Sequence, residues 1–75
     1  MNVGDLIVAQ YETWIYDDFH LFNTHIIATI PEGGIVVHLG EVEYNLHRVM
    51  YDGVVGWANG YDLGLSTGSI LDVPP

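Results

Sequence analysis

Apolar positions along this chain fall in short blocks separated by turn-forming residues, not at helical spacing. Residues 6–11 form a run rich in strand formers, and the run opens after Gly4-Asp5, a turn signal. A second block at 26–30 ends on Pro31-Glu32-Gly33-Gly34, and a third follows at 35–39. Residues 40–45 carry Glu41 and Glu43 through a connection, and residues 46–51 and 54–58 supply two more blocks. Asn59-Gly60-Tyr61-Asp62 then reads as a tight turn or a single helical turn. No stretch sustains a 3.6-residue period, so no amphipathic helix is expected. Short strands with turns between them predict an all-β fold, a small five-stranded barrel or sandwich.

Asp52-Gly53, between two apolar runs, is the strongest local signal. A two-residue type I′ hairpin turn needs positive φ at both central positions, which Asp-Gly tolerates. The turn sets a register in which Tyr51 faces Val54, Met50 faces Val55, Val49 faces Gly56 and Arg48 faces Trp57. Alternation then places Val49, Tyr51, Val54, Gly56 and Ala58 on an inner side, joined by Ile26, Ala28, Ile30, Ile35, Val37 and Leu39. Val36, Met50, Val55 and Trp57 fall on the outer side. Apolar residues exposed together mark an interaction site, here a candidate oligomer face, unless the loop after the first strand folds over them.

That loop, residues 12–25, mixes Trp14, Tyr16, Phe19 and Phe22 with Glu12, Asp17 and Asp18 without a clean period. Its length points to function, and its aromatic content argues against disorder. The surface expected to take a partner comprises Tyr11, Trp14, Tyr16, Asp17, Asp18, Glu41, Trp57 and Tyr61. Rings would supply buried anchors and carboxylates would select a basic ligand.

Charge sharpens this expectation. Ten acidic residues stand against one basic residue, Arg48, for a formal net charge of −9. Nucleic-acid affinity rests largely on Lys and Arg releasing counterions, so direct nucleic-acid binding is excluded as an expectation. The charge favours a basic protein or peptide partner by steering encounter, and it also keeps an apolar domain soluble. With 75 residues the chain is expected to form one domain, a barrel over residues 1–64 followed by a tail at 65–75. There is no cysteine, so neither a disulfide nor a thiolate metal site can staple it. No signal-peptide pattern and no membrane-length apolar run is visible, and a cytoplasmic location is expected.

Chemistry-bearing patterns are sparse. His20, His25, His38 and His47 match no ligand spacing, and parity is expected to put His38 and His47 on opposite faces. Asp17-Asp18 and the Glu41/Glu43 pair lack the glycine-punctuated loop of calcium sites. There is no Gly-rich phosphate loop, cysteine nucleophile or nucleophile elbow. A non-enzymatic protein without metal or cofactor is expected.

Four segments come in an order that resembles a bacterial-type Src homology 3 domain over residues 26–63, about half the chain. They are Ala28-Thr29-Ile30-Pro31-Glu32-Gly33, Val49-Met50-Tyr51-Asp52-Gly53, Val55-Gly56-Trp57-Ala58 and Gly60-Tyr61-Asp62-Leu63. The resemblance implies a five-stranded barrel with a long loop after strand one, and a binding role. Leu46 and Ala58 stand where the family's proline-peptide groove has Trp and Pro, and only Tyr11 and Tyr61 have counterparts there. The resemblance therefore implies the fold and not that ligand. The expected function is a small binding module for a basic partner. The alternatives are an acidic phage-type inhibitor that mimics nucleic acid, and a structural subunit of an oligomer.

Overall fold

Six strands form where β-prone runs meet turn residues. In the computed structural model, which describes residues 3–20 and 24–65, they are β1 (Leu6–Val8), β2 (Thr13–Tyr16), β3 (Ile26–Ile30), β4 (Ile35–Glu43), β5 (Leu46–Tyr51) and β6 (Val54–Asn59). All pair antiparallel in one sheet of order β1-β4-β5-β6-β2-β3. The all-β class is as expected, and the sheet departs from the expected five-stranded barrel in two respects. A sixth strand is present, and the sheet is not closed: β1 and β3 are its two edges. Among the described residues there is no helix, and none long and apolar enough to cross a membrane.

The β5–β6 hairpin has the expected register, Tyr51 opposite Val54 and Arg48 opposite Trp57. Asp52 and Gly53 both have positive φ, 52° and 81°, as a type I′ turn demands. A second tight hairpin joins β4 to β5 through Tyr44 and Asn45, with Tyr44 at φ 57°.

One face of the curled sheet makes the core. Each strand sends a buried side chain into it: Ile7, Ile15, Ile30, Val36, Val49 and Ala58, with Ala9 and Leu63 added from the connections. The segment between β1 and β2 ties one end of the sheet together. Ala9 exchanges backbone hydrogen bonds with Gly33 and Gly34, and the amides of Gln10 and Tyr11 both donate to the Asp62 carbonyl. Leu65 packs on the core and its amide donates to Gly60 O, so the folded unit reaches past residue 64. Residues 66–75, the rest of the expected tail, lie outside the described residues.

Four expectations are corrected. The loop expected at 12–25 contains β2, which alternates cleanly with Thr13 and Ile15 inward and Trp14 outward. The usual contrast is inverted there, because the inward Thr13 is polar and satisfied by Asp62 Oδ2 at 2.8 Å while the outward residue is aromatic. The parity of β4 is also reversed: Val36 and His38 are buried, whereas Ile35 is exposed and Val37 and Leu39 are half-buried. Val36 is thus a core residue and no part of an outer face. Ile26, expected inside, is 53% exposed, because a bulge shifts the β2–β3 register so that Tyr16 pairs with Ile26 directly after Ile15 pairs with Ala28. The first strand also stops at Val8 and not at residue 11.

Gly56 lets β2 lie close against β6. A Cβ there would stand 2.3 Å from Ile15 Cγ2 and 2.4 Å from the Tyr16 carbonyl oxygen. Gly56→Ala should therefore cost at least about 1–3 kcal/mol. That is a large part of the roughly 4–11 kcal/mol expected of a 75-residue domain. Urea unfolding followed by circular dichroism would show the midpoint falling; an unchanged midpoint would contradict the close β2–β6 approach.

Candidate functional site

The outer face is organised in cross-strand rows. One row runs Arg48–Trp57–Tyr16 across β5, β6 and β2. Above it Leu46 pairs with Asn59; below it Leu6, Val37, Met50 and Val55 align across β1, β4, β5 and β6.

Over the upper rows the segment after β2 turns back on the sheet. Phe19 stands edge-on to Trp57, ring centroids 5.0 Å apart at 68°, which leaves Trp57 only 8% exposed. A cleft of about 450 Å³ lies beside this contact, lined by Tyr16, Phe19, His20, Thr24, Tyr44, Asn45, Leu46 and Asn59. The loop is pinned at its base by Asp17. Its Oδ1 accepts the His25 backbone N–H at 2.9 Å, its own N–H donates to the His25 carbonyl at 3.0 Å, and Oδ2 lies 3.5 Å from His25 Nδ1. The His25 amide is the main reason the Asp17 carboxyl is held below its ordinary range. Asp18 Oδ1 accepts the Phe19 N–H at 2.7 Å, its Oδ2 lies 3.8 Å from His20 Nε2, and Thr24 Oγ1 donates to the His20 carbonyl. Phe22, part of the expected aromatic set, lies outside the described residues.

The expected partner residues separate into groups. Tyr16 lines the cleft, Asp17 and Asp18 follow it directly, and exposed Trp14 sits two residues back on the same face of β2. Trp57 lies beneath Phe19 and supports the cleft without being open to a partner. Tyr11 and Tyr61 are exposed beyond the other end of β2, where the Tyr11 amide meets Asp62, up to roughly 20 Å of extended chain from Asp17. Glu41 forms an ion pair with Arg48, Oε1 to Nη1. Of the expected oligomer face, Met50 and Val55 are 37% and 41% exposed; Val36 and Trp57 are buried. Sequence reasoning passed over Tyr44, Asn45, Leu46 and Asn59 as site residues. Their signal was the two-residue Tyr44-Asn45 turn, obscured because a tyrosine seldom takes positive φ.

Behind this cleft His38 and His47 meet in the interior, Nε2 to Nδ1 at 2.8 Å, contrary to the expectation that they lie on opposite faces. His38 sits opposite Val49 on β5, so it shares the inward side with Val49 and His47. The Gly40 N–H donates to His38 Nδ1 at 2.9 Å. In the neutral rings His38 therefore carries its proton on Nε2 and donates to His47 Nδ1, and His47 carries its own on Nε2. That nitrogen and Asn45 Oδ1 are both buried beside Gly60, where a Cβ would stand 2.7 Å and 3.0 Å from them. The Asn45 Nδ2 donates to Asn59 Oδ1 at 3.0 Å, which also accepts the Tyr61 N–H at 2.8 Å. The hydrogen-bonded chain from Gly40 through both imidazoles ends at His47 Nε2, and neither that nitrogen nor Asn45 Oδ1 at the wall of the cleft has a partner among the described residues. No cluster of three or more metal-ligating side chains exists among the described residues.

No protein-family model matches the chain, and no characterised protein or solved structure matches it either.

Burial lowers the pKa of both His38 and His47 from the ordinary 6.5, and for His47 the neighbouring His38 adds to the effect. Between the folded value and 6.5 the unfolded chain binds more protons, so stability is complete above about pH 6.5 and declines as pH falls. The loss from Asp17 begins only below its ordinary 3.8, so it does not overlap the start of this decline. Urea midpoints measured from pH 8 to 5 should fall below pH 6.5; a flat profile would contradict neutral burial of the pair.

Proposed function

We propose that this chain is a small non-catalytic binding module that takes a basic segment of another protein at the cleft beside Phe19. The observation that carries the reading is the cleft itself, a pocket of about 450 Å³ walled in part by Tyr16, Phe19 and Leu46, with the carboxylates of Asp17 and Asp18 outside its lining but between Tyr16 and Phe19 in the chain. Charge supports the choice of partner. The net charge is −9, and the one basic residue, Arg48, is engaged by Glu41, so a cationic segment meets little repulsion. Phe19 and Tyr16 offer faces on which a lysine stem or guanidinium can lie, with its charge directed to the aspartates.

The family kinship we infer remains with Src-homology-3-like barrels. It rests on the order of the four segments between residues 28 and 63, with the Asp52-Gly53 hairpin at its centre. In that inference the loop between β2 and β3 corresponds to the family's long binding loop, carrying acids and aromatics in place of a proline groove.

Titrating ¹⁵N-labelled chain with octalysine and, separately, octaglutamate tests the binding reading. Amides of Tyr16, Phe19, Thr24 and Asn59 should shift with octalysine alone. Replacing Asp17 and Asp18 by Asn together should weaken binding about three- to tenfold, as expected for two partly exposed ion pairs. Equal response to both peptides, or shifts confined to other surfaces, would refute the assignment.

The lower apolar row favours a second reading, a subunit that self-associates. Leu6, Val37, Met50 and Val55 align across four strands, with Leu6 70% exposed, and Val8 and Ile35 extend the patch. Light scattering at rising concentration should then show a dimer that Met50→Lys abolishes. A monomer throughout would remove this reading and leave the first intact.

A further inference from the structure

In the neutral state both lone pairs of the His38–His47 rings are engaged, while the His47 Nε2–H is buried without a partner among the described residues. Two carry protons, and the two lone pairs accept from the Gly40 N–H and from His38 Nε2–H. An added proton has no vacant lone pair to occupy. On His38 Nδ1 it would confront the Gly40 N–H; on His47 Nδ1 it would confront the His38 N–H. Either position removes a buried hydrogen bond and places a cation among Val36, Val49 and Ala58.

The consequence is local because of where those bonds lie. Gly40 sits in the irregular stretch of β4 between His38 and Val42, at φ 95°. His47 is the second residue of β5, which follows the Tyr44-Asn45 turn, and the Gly60 N–H donates to the Asn45 carbonyl at 2.9 Å. The same turn, with Leu46, walls the cleft.

We propose that the His38–His47 pair is an acid-operated latch on the β4–β5 hairpin, in which one added proton frees the Tyr44-Asn45 turn from β6 and reshapes the cleft it borders. The importance of the cleft rests on the binding reading above; the latch itself does not. Charged groups facing the pair oppose one another in effect. Asp5, whose carbonyl accepts the His38 N–H at 2.8 Å, attracts the proton, and a charge on either ring repels one on the other. From β6 the neighbours are Ala58, Asn59 and Gly60, none of them titratable. The Glu41–Arg48 ion pair lies on the exposed side of the same two strands and still holds them when the buried bond is lost.

The test is a pH titration from 7.5 to 4.5 by NMR without any partner, following imidazole ¹⁵N shifts, the Gly40 and Gly60 amides, and the methyl groups of Ile15 and Leu63. At pH 7.5 both rings should show the Nε2–H tautomer. On acidification the Gly40 and Gly60 amides should move upfield with the ring nitrogens of the pair, at a common midpoint, while the core methyls keep their dispersion. Ring protonation that leaves both amides unmoved would overturn the latch, as would ring protonation that occurs only when the core methyls collapse. The double variant His38→Phe with His47→Leu should show no movement of the Gly60 amide over this range; if it does not fold, the titration of the native chain decides alone. Octalysine binding at pH 7.5 is measured separately, so the latch and the binding reading can fail independently.

Discussion

The hydrogen bond between His38 and His47 determines which way β4 faces, and the rest of the surface follows from that choice. In a strand, successive side chains alternate sides, so burying His38 also buries Val36 and turns Ile35 and Val37 outward. Val37 then falls between Leu6 and Met50, and an apolar row on the outer face is completed. The pair places two imidazoles in so small a core with three of their four nitrogens engaged, His38 Nδ1 by Gly40 and His38 Nε2 and His47 Nδ1 by each other, and with His47 Nε2 alone left without a partner. Without His47, His38 Nε2 would also be left buried without a partner, at a cost of about 1–3 kcal/mol.

The same principle accounts for the other inward polar residue. Thr13 faces the core from β2 because Asp62 reaches back to it, and the backbone of residue 62 also receives the amides of Gln10 and Tyr11. One acidic residue in the closing turn thus anchors the start of β2 and the connection before it. Once that end is held, the bulge opposite Ile15 and Tyr16 and the missing side chain at Gly56 let β2 lie on β6 and bring Tyr16 next to Trp57. The cleft is a product of these contacts: its floor is sheet, and its rim is a loop pinned by Asp17 to His25.

Much of this was legible in the residues, and the exceptions share a cause. The Asp52-Gly53 hairpin, its register and the inward set Val49, Gly56 and Ala58 could be read because turn chemistry fixes pairing locally. Ile35-Val36-Val37 carries no parity information of its own, since all three are apolar, so the face of β4 hung on whether His38 was thought able to enter the core. Only its pairing with a residue nine positions away makes that possible. β2 was hidden for a related reason, because Thr13 owes its burial to a residue 49 positions on. Ile26 depended on a bulge that no turn motif announces. Of the candidate site, Tyr16, Asp17 and Asp18 were accessible from composition alone. Asn45, Leu46 and Asn59 required knowing that the β4–β5 turn returns alongside β6.

Charge and apolar surface would act in opposite directions on the two proposed associations, which gives them opposite expected dependence on salt. A chain with a net charge of −9 repels its own copies, so contact through the Leu6–Met50–Val55 row strengthens as added salt screens that repulsion. A cationic segment drawn to Asp17 and Asp18 is steered by the same field, and salt weakens it. The two surfaces are also separated on the sheet by the Arg48–Trp57–Tyr16 row, where Phe19 covers the indole. Self-association of the proposed kind through the lower rows would therefore leave the cleft above them open, and the two proposed modes are geometrically compatible.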